Sequence, residues 1–340
     1  MKQQTQISII LPIYNAEKTI GETLRSIREQ DFEDYEVLLV DDGSRDQSRS
    51  ICLDFADKDE RFRCFFQNNS GVSVARNVGL TAARGQFVVF VDADDRLAPH
   101  GLSLLLDAQH RQENCLICGC YIMNKTRNRQ VRSNCVPAVY TKEKPEEFLE
   151  GLAKVPTAPW AKLYDKSLID KHQISFPCGV PYGEDAVFLY HYMEHVQRFA
   201  TISDIVYEYN FLDSGSAGRR FYKDYYAFMK IQYEARKKLC CKLGVPERSE
   251  ELTYFRRSIE HYIINEPDRA KCEKDIGLCV ASFPNCVSDA NYGSYASSGD
   301  MLGLIRQWIR NNRRHYWVER LKIYLDRLKK WNSRKGARRE

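Results

Sequence analysis

The first ninety residues alternate apolar runs with amphipathic helical spacing, and that alternation limits the fold more than any other feature of the chain. Ile7-Ser8-Ile9-Ile10-Leu11 suits a buried strand, and residues 16–28 then carry Ile20, Leu24 and Ile27 at helical spacing. Residues 35–40 read as the next strand, followed by Ser48, Ile51, Cys52 and Phe55 on a helical pattern. Residues 61–67 give a third strand, 71–83 a helix rich in Val and Ala that Gly85 ends, and 86–91 a fourth strand. Strand, helix, strand, helix at this spacing predicts a mainly parallel α/β sheet with right-handed crossovers. In open sheets of this kind ligands bind outside the carboxyl ends of the strands. Three polar clusters fall there: Tyr14-Asn15, Asp41-Asp42 and Asp92-Ala93-Asp94-Asp95.

The last cluster follows Phe87-Val88-Val89-Phe90-Val91 and puts three carboxylates at the end of a buried strand. Hard divalent ions such as Mn²⁺ and Mg²⁺ take carboxylate oxygens and leave room for substrate phosphates, which makes this a candidate metal–diphosphate site. Taken alone, a D-x-D serves equally well as an acidic turn opening a helix near Leu102. No G-x-G-x-x-G follows the first strand and no G-x-x-x-x-G-K-[ST] occurs, so dinucleotide and P-loop readings lose their main support. A metal held by Asp92 and Asp94 would neutralise charge on a leaving nucleoside diphosphate. Asp41 is placed to accept a hydrogen bond from a base or ribose, Tyr14 to stack on the base, and Arg76 to meet the base edge or phosphates.

In chain order, Leu11-Pro12-Ile13-Tyr14-Asn15 carries P-x-Y-N, Asp41-Asp42-Gly43-Ser44 carries D-D-G-S, Asn69-Ser70-Gly71 with Ala75-Arg76-Asn77 and Gly79 carries N-x-G followed by A-R-N-x-G, and Asp92-Ala93-Asp94 carries D-x-D. Together they resemble family 2 glycosyltransferases of the GT-A fold. The likeness continues more loosely through Pro159-Trp160-Ala161-Lys162-Leu163-Tyr164 and Glu184-Asp185, to about residue 215. The resemblance implies an α/β, Rossmann-like GT-A domain with a mainly parallel sheet and flanking helices, extended by C-terminal helices. It also implies inverting transfer of a sugar from a nucleotide donor, usually a uridine diphosphate sugar, to an acceptor hydroxyl. Donor contacts then fall to Pro12, Tyr14, Asn15, Asp41, Asp42, Arg76 and Asp92, and the metal, Mn²⁺ or Mg²⁺, to Asp94 and Asp92. Direct displacement needs a carboxylate that takes the acceptor proton. By motif position that base is Asp185, with Glu184 and Trp160 on the acceptor side. The plainer readings are that both acids favour a helix N-terminus and that Trp160 is a core residue. Ser214-Gly215-Ser216 with Arg219 and Arg220 is either a diphosphate clamp or a solvated loop.

Beyond Pro99 the pattern becomes irregular: a strand over 116–123, a polar loop over 125–134, helices over 145–152 and 183–196, and a strand over 201–211. Helical patterns then dominate at 221–243, 249–264, 272–283 and 302–331, with a Ser/Gly/Asn/Tyr linker at 288–300. The expected division is a catalytic domain over 1–215, a helical extension over 216–290, and a linker with a basic amphipathic helix over 291–340. The net charge of +5 has its source in residues 301–340, where thirteen Lys and Arg face three Asp and Glu. Trp308, Trp317, Trp331 and several Leu and Ile are interleaved with those cations, a composition suited to peripheral contact with an anionic membrane face or to a core-packing helix with a basic end. The acidic remainder disfavours nucleic acid. The amino-terminal residues lack a signal-peptide apolar stretch, and no apolar run approaches the roughly 18 residues of a spanning helix, so a cytoplasmic enzyme at the inner membrane face is expected. Twelve cysteines without a disulfide-framework spacing are expected to be reduced, and Cys115 and Cys118 to be apolar strand residues. His191 and His195 are four apart on a helix but lack the H-E-x-x-H pattern, so surface or packing roles are expected.

The acceptor is expected to be a saccharide or lipid-linked sugar of a cell-surface glycan, transferred without processivity because neither Q-x-x-R-W nor spanning helices are present. A nucleotidyltransferase would share carboxylates at strand ends, but its Gly-rich basic opening is missing from residues 9–17. A catalytically inactive glycan- or nucleotide-binding protein would have no need of Asp92, Asp94 and Asp185 together.

Overall fold

The computed structural model describes residues 5–112, 114–125, 129–133, 135–210 and 222–246, with residues 254, 257, 258, 261, 271, 274, 275 and 278. The segments expected at Ser214-Gly215-Ser216 with Arg219 and Arg220, at 288–300 and at 301–340 lie outside the described residues, as do most positions of the helices expected over 249–264 and 272–283. Two compact units divide the chain: Met1–Arg219 with Ala235–Pro246, and Arg220–Glu234 with Glu247–Glu340.

The first unit begins with β1 (Ile7–Ile13), α1 (Ile20–Arg28), β2 (Tyr35–Asp41), α2 (Ser48–Lys58), β3 (Phe62–Phe66), α3 (Val72–Ala82) and β4 (Phe87–Phe90). The strands lie in the order β3-β2-β1-β4, all parallel. Every residue of β1 and β2 is buried, because helices cover both faces and each strand alternates its side chains between two cores. Ile9 and Leu11 meet Leu24 and Ile27 of α1 on one face, and Ile10 meets Leu80 of α3 on the other. Burying each such aliphatic side chain contributes about 1.5–3 kcal/mol, which is why the apolar runs select strands with two covered faces.

Then follow β5 (Arg96–Leu97), α4 (Gly101–Arg111), β6 (Cys115–Lys125), β7 (Arg129–Arg132), β8 (Ala138–Thr141), α5 (Pro145–Lys154), β9 (Lys162–Asp165), α6 (Lys166–Lys171), α7 (Glu184–Met193), β10 (Arg198–Asn210) and α8 (Tyr225–Leu243). The sheet continues β4-β9-β6-β10-β5, with β7 added to β6 and β8 to β10. Here only β6 and β10 are parallel. The stretch expected as a polar loop over 125–134 contains β7, a partner of β6. Its sequence, Arg129-Gln130-Val131-Arg132, has a single apolar residue, which conceals the strand from a hydrophobicity pattern, and charge of the kind Arg132 carries is usual on an edge strand. Seven of the ten residues of α7 are buried, and its Phe188 packs on Phe90 of β4 and Tyr164 of β9, which fixes the helix against the middle of the sheet.

In the second unit, Tyr225 stacks on His261 with ring centroids 3.8 Å apart, and His261 Nε2 accepts the Tyr222 N–H at 3.1 Å. Among the described residues no helix is long and apolar enough to cross a membrane.

One close approach fixes α3 against the sheet. A Cβ on Gly85 would stand 2.5 Å from the backbone nitrogen of Ser8 in β1, while the Gly85 N–H donates to Ser8 Oγ at 2.8 Å. Neither backbone can yield. Gly85→Ala is expected to destabilise the chain by about 1–3 kcal/mol, read as a lower urea midpoint without a change in slope.

Candidate active site

Parallel β1, β2 and β4 end on one sheet edge, where a cleft of ≈ 620 Å³ opens. Pro12 near the end of β1 and Tyr14 and Asn15 just after it line the cleft, with Lys18, Asp46, Asp92, Asp94, Tyr209 and Asn210. The other residues expected at the site, Asp41, Asp42, Arg76, Trp160, Glu184 and Asp185, are not among its lining residues.

The rim is built by side chains that hold backbone. Asn15 adopts φ 49°, a left-handed conformation that asparagine tolerates well. Its N–H donates to Ser44 Oγ at 3.0 Å and its Oδ1 accepts the Arg45 N–H at 2.8 Å, joining the loops after β1 and β2. Asp41 is buried and accepts the Ser44 N–H at 3.0 Å. Asp42 accepts from Gln67 Nε2 at 2.7 Å and from the N–H groups of Ser70 and Gly71 at 2.7 and 2.8 Å. That carboxylate therefore organises the entry to α3. Tyr14 is half exposed and lines the cleft.

The Asp92-Ala93-Asp94-Asp95 cluster divides into three roles. The Asp92 N–H donates to Tyr207 Oη at 3.1 Å, and Tyr207 in turn donates to Asp95 Oδ2 at 2.8 Å. Asp95 Oδ1 accepts the Asn210 N–H at 2.7 Å, and Asn210 Nδ2 donates to the Asp94 carbonyl at 2.8 Å. Asp95 is thus buried and ties the acidic turn to the end of β10, and burial with Asp92 and Asp94 nearby drives its carboxyl well above the ordinary range. Asp94 is pushed up to about 6 by burial and then by Asp92. Asp92 keeps one oxygen on Arg76 Nη2 at 3.0 Å.

Arg76 carries this geometry to the far side of the site. It is buried on α3, with Nη1 donating to Glu184 Oε1 at 2.9 Å and its guanidinium carbon 5.1 Å from the Phe176 ring centre. Among the described residues its Nε has no hydrogen-bond partner. Asp185 follows Glu184 in the first turn of α7 and accepts the Ala186 N–H at 2.7 Å. Burial raises the Asp185 carboxyl to about 6, Glu184 and Asp92 add to the rise, and Arg76 and the Ala186 bond oppose it. A helix N-terminus favours the anion, so burial and like charge outweigh the dipole here. Trp160 is 7% exposed, stacked between Tyr207 at 4.8 Å and Tyr209 at 5.6 Å with Tyr121 at its edge.

Among the described residues no group of three or more His, Cys, Asp or Glu side chains converges as a metal cage. Asp92 and Asp94 instead offer two carboxylates to the cleft, the donor set of an Mg²⁺ or Mn²⁺ that completes its shell with water and phosphate oxygens. Asp94, desolvated beside a second carboxylate, is stabilised in its ionised form by any such cation. Cys115 and Cys118 are buried strand residues whose thiols burial pushes up to about 12, and His195 stacks on His172 at 3.7 Å.

The sequence reading missed Tyr207 and Asn210, which sit on β10 and bond the distant acidic turn with no local motif to mark them, and it gave Lys162 no role although the residue stands in Pro159-Trp160-Ala161-Lys162-Leu163-Tyr164. Tyr207→Phe leaves the Asp92 N–H and Asp95 without their shared hydroxyl, and is expected to cost about 1–3 kcal/mol of stability in a denaturation series.

Residues 8–172 match the family model described as glycosyl transferase family 2. The chain is 26% identical over 262 residues to a putative glycosyltransferase, EpsH, of Bacillus subtilis (strain 168), covering 76% of this chain and 74% of that protein. It is 30% identical over 236 residues to poly(ribitol-phosphate) β-N-acetylglucosaminyltransferase TarS of Staphylococcus aureus (strain Mu50), covering 66% of this chain and only 39% of that protein. The crystal structure of S. aureus TarS 1–349 in complex with UDP-GlcNAc shares the fold, with a TM-score of 0.70, 20% identity, and coverage of 92% of this chain and 93% of that one.

Proposed function

Because the chain belongs to glycosyltransferase family 2, we propose that it moves a sugar from a uridine diphosphate sugar to an acceptor hydroxyl with inversion, in the synthesis of a cell-surface polysaccharide or glycolipid. The observation that carries this reading is Arg76, which links a cleft carboxylate, Asp92, to Glu184 beside the buried Asp185. Donor-side and acceptor-side carboxylates thereby belong to one electrostatic unit.

Tyr14, half exposed in the cleft, stacks on the base, and Pro12 and Asn15 shape that end of the cleft. Asp41 and Asp42 act there by fixing the loops that the nucleotide meets. Asp92 and Asp94 hold a divalent cation, which when bound neutralises charge on the departing diphosphate. Asp185 removes the acceptor proton. A carboxyl held near 6 is ionised at neutral pH yet basic enough to share a proton with an attacking hydroxyl. The acceptor lies on the side of Glu184 and Trp160. TarS 1–349 is solved with UDP-GlcNAc, and that makes UDP-GlcNAc the first donor to try.

The test is release of UDP from a panel of UDP-sugars with Mn²⁺, alongside UDP binding by calorimetry. Asp94→Asn is expected to weaken Mn²⁺-dependent UDP binding by about tenfold or more. Asp185→Asn is expected to spare UDP binding and lower turnover by about 10²–10⁴-fold. Full turnover in Asp185→Asn would move the base elsewhere, and UDP binding indifferent to Mn²⁺ would remove the metal.

A further inference from the structure

Lys162 is the first residue of β9 and is 1% exposed. Among the described residues no carboxylate bonds to it. Its ammonium donates to the carbonyls of Ala158 at 2.7 Å, Pro156 at 2.8 Å and Trp160 at 3.4 Å. An ammonium has three donors, and here three backbone acceptors from one short segment take them. Burial brings Lys162 down to about 8, and the Asp185 carboxylate opposes that fall.

The segment it gathers is held from several sides. Ala161 has φ 55°, the left-handed region in which an alanine is strained and persists only where its surroundings over-determine it. The Ala161 carbonyl accepts the Gly119 N–H at 2.9 Å. Trp160 is clasped in its aromatic stack. Pro156 and Pro159 have no N–H to bond, so the turn cannot close on itself through those positions and relies on its inward-facing carbonyls.

We propose that Lys162 is a positioning residue for sugar transfer: its ammonium draws the carbonyls of residues 156, 158 and 160 to one point and so holds the acceptor-side wall against Asp185. The role rests on the glycosyltransferase reading and adds to it a residue that touches neither donor nor acceptor. None of residues 156–162 lines the donor cleft, so loosening this wall acts first on the placement of base and acceptor and only second, through Tyr207 and Tyr209, on the nucleotide.

The comparison is between the wild-type full chain and Lys162→Met, which keeps the stem and removes the ammonium. Three quantities are read: UDP affinity with Mn²⁺, steady-state UDP release from the UDP-sugar that wild type hydrolyses fastest, and amide exchange over residues 157–161. The expected result is UDP affinity and KM within about twofold, kcat lower by about tenfold or more, and faster exchange confined to that segment. Unchanged kcat and exchange would overturn the proposal, as would UDP affinity falling in step with kcat. Should Lys162→Met fail to fold, Lys162→Arg spreads its donors over a planar fork that cannot converge on three carbonyls, and the same split is expected. Wild-type kcat and exchange in that variant would overturn the role. A wild-type chain that binds no UDP and releases none overturns the glycosyltransferase reading itself, a failure visible before any variant is compared.

Discussion

A single buried guanidinium holds the two halves of the site in one register. Arg76 comes from α3, Asp92 from the turn after β4, and Glu184 from the first turn of α7, so its two ion pairs join three elements far apart in sequence. A charge in this position has strong reasons to keep both partners. Removing one partner of a buried pair costs about 3–5 kcal/mol, because the remaining charge stays desolvated. The geometry around Asp92 therefore constrains the geometry around Asp185, and the electrostatics follow: Arg76 opposes the rise that burial, Glu184 and Asp92 impose on the base.

The acidic turn after β4 depends on a second set of tethers. Asp92 and Asp94 face the cleft, whereas Asp95 turns inward to Tyr207 and Asn210 on β10. Three adjacent carboxylates in one turn repel one another, and the inward bonds stop the turn from opening. Lys162 gathers the backbone of residues 156–160 in a comparable way, through carbonyls instead of carboxylates.

Much of this was legible in the sequence where the signal is local. The largely apolar runs of β1, β2 and β4 announce strands covered on both faces, and parallel pairing then sends Tyr14, Asp41 and Asp92 to one edge. The mixed second half was less legible. β8 and β9 are four-residue strands that owe their existence to neighbours, and β7 is charged because it lies at an edge. Side-chain direction was the least legible property of all. Asp42 reads as a donor contact by motif, yet its oxygens accept three bonds from the loop before α3. Arg76 reads as a phosphate or base contact, and only the fold brings Asp92 and Glu184 to its two ends. Trp160 reads as a platform, and the ring stack of Tyr207, Tyr209 and Tyr121 that encloses it comes from β10 and β6.

The coupling through Arg76 is tested most directly by the pH dependence of kcat/KM for UDP release in Arg76→Met against wild type. Asp185 must be ionised to act, so wild-type activity should rise through about pH 6. The Arg76 charge favours that ionised form, and without it the Asp185 carboxyl rises further, so the acid limb should move to higher pH. An acid limb that stays in place in Arg76→Met, with activity still dependent on Asp185, would contradict the account.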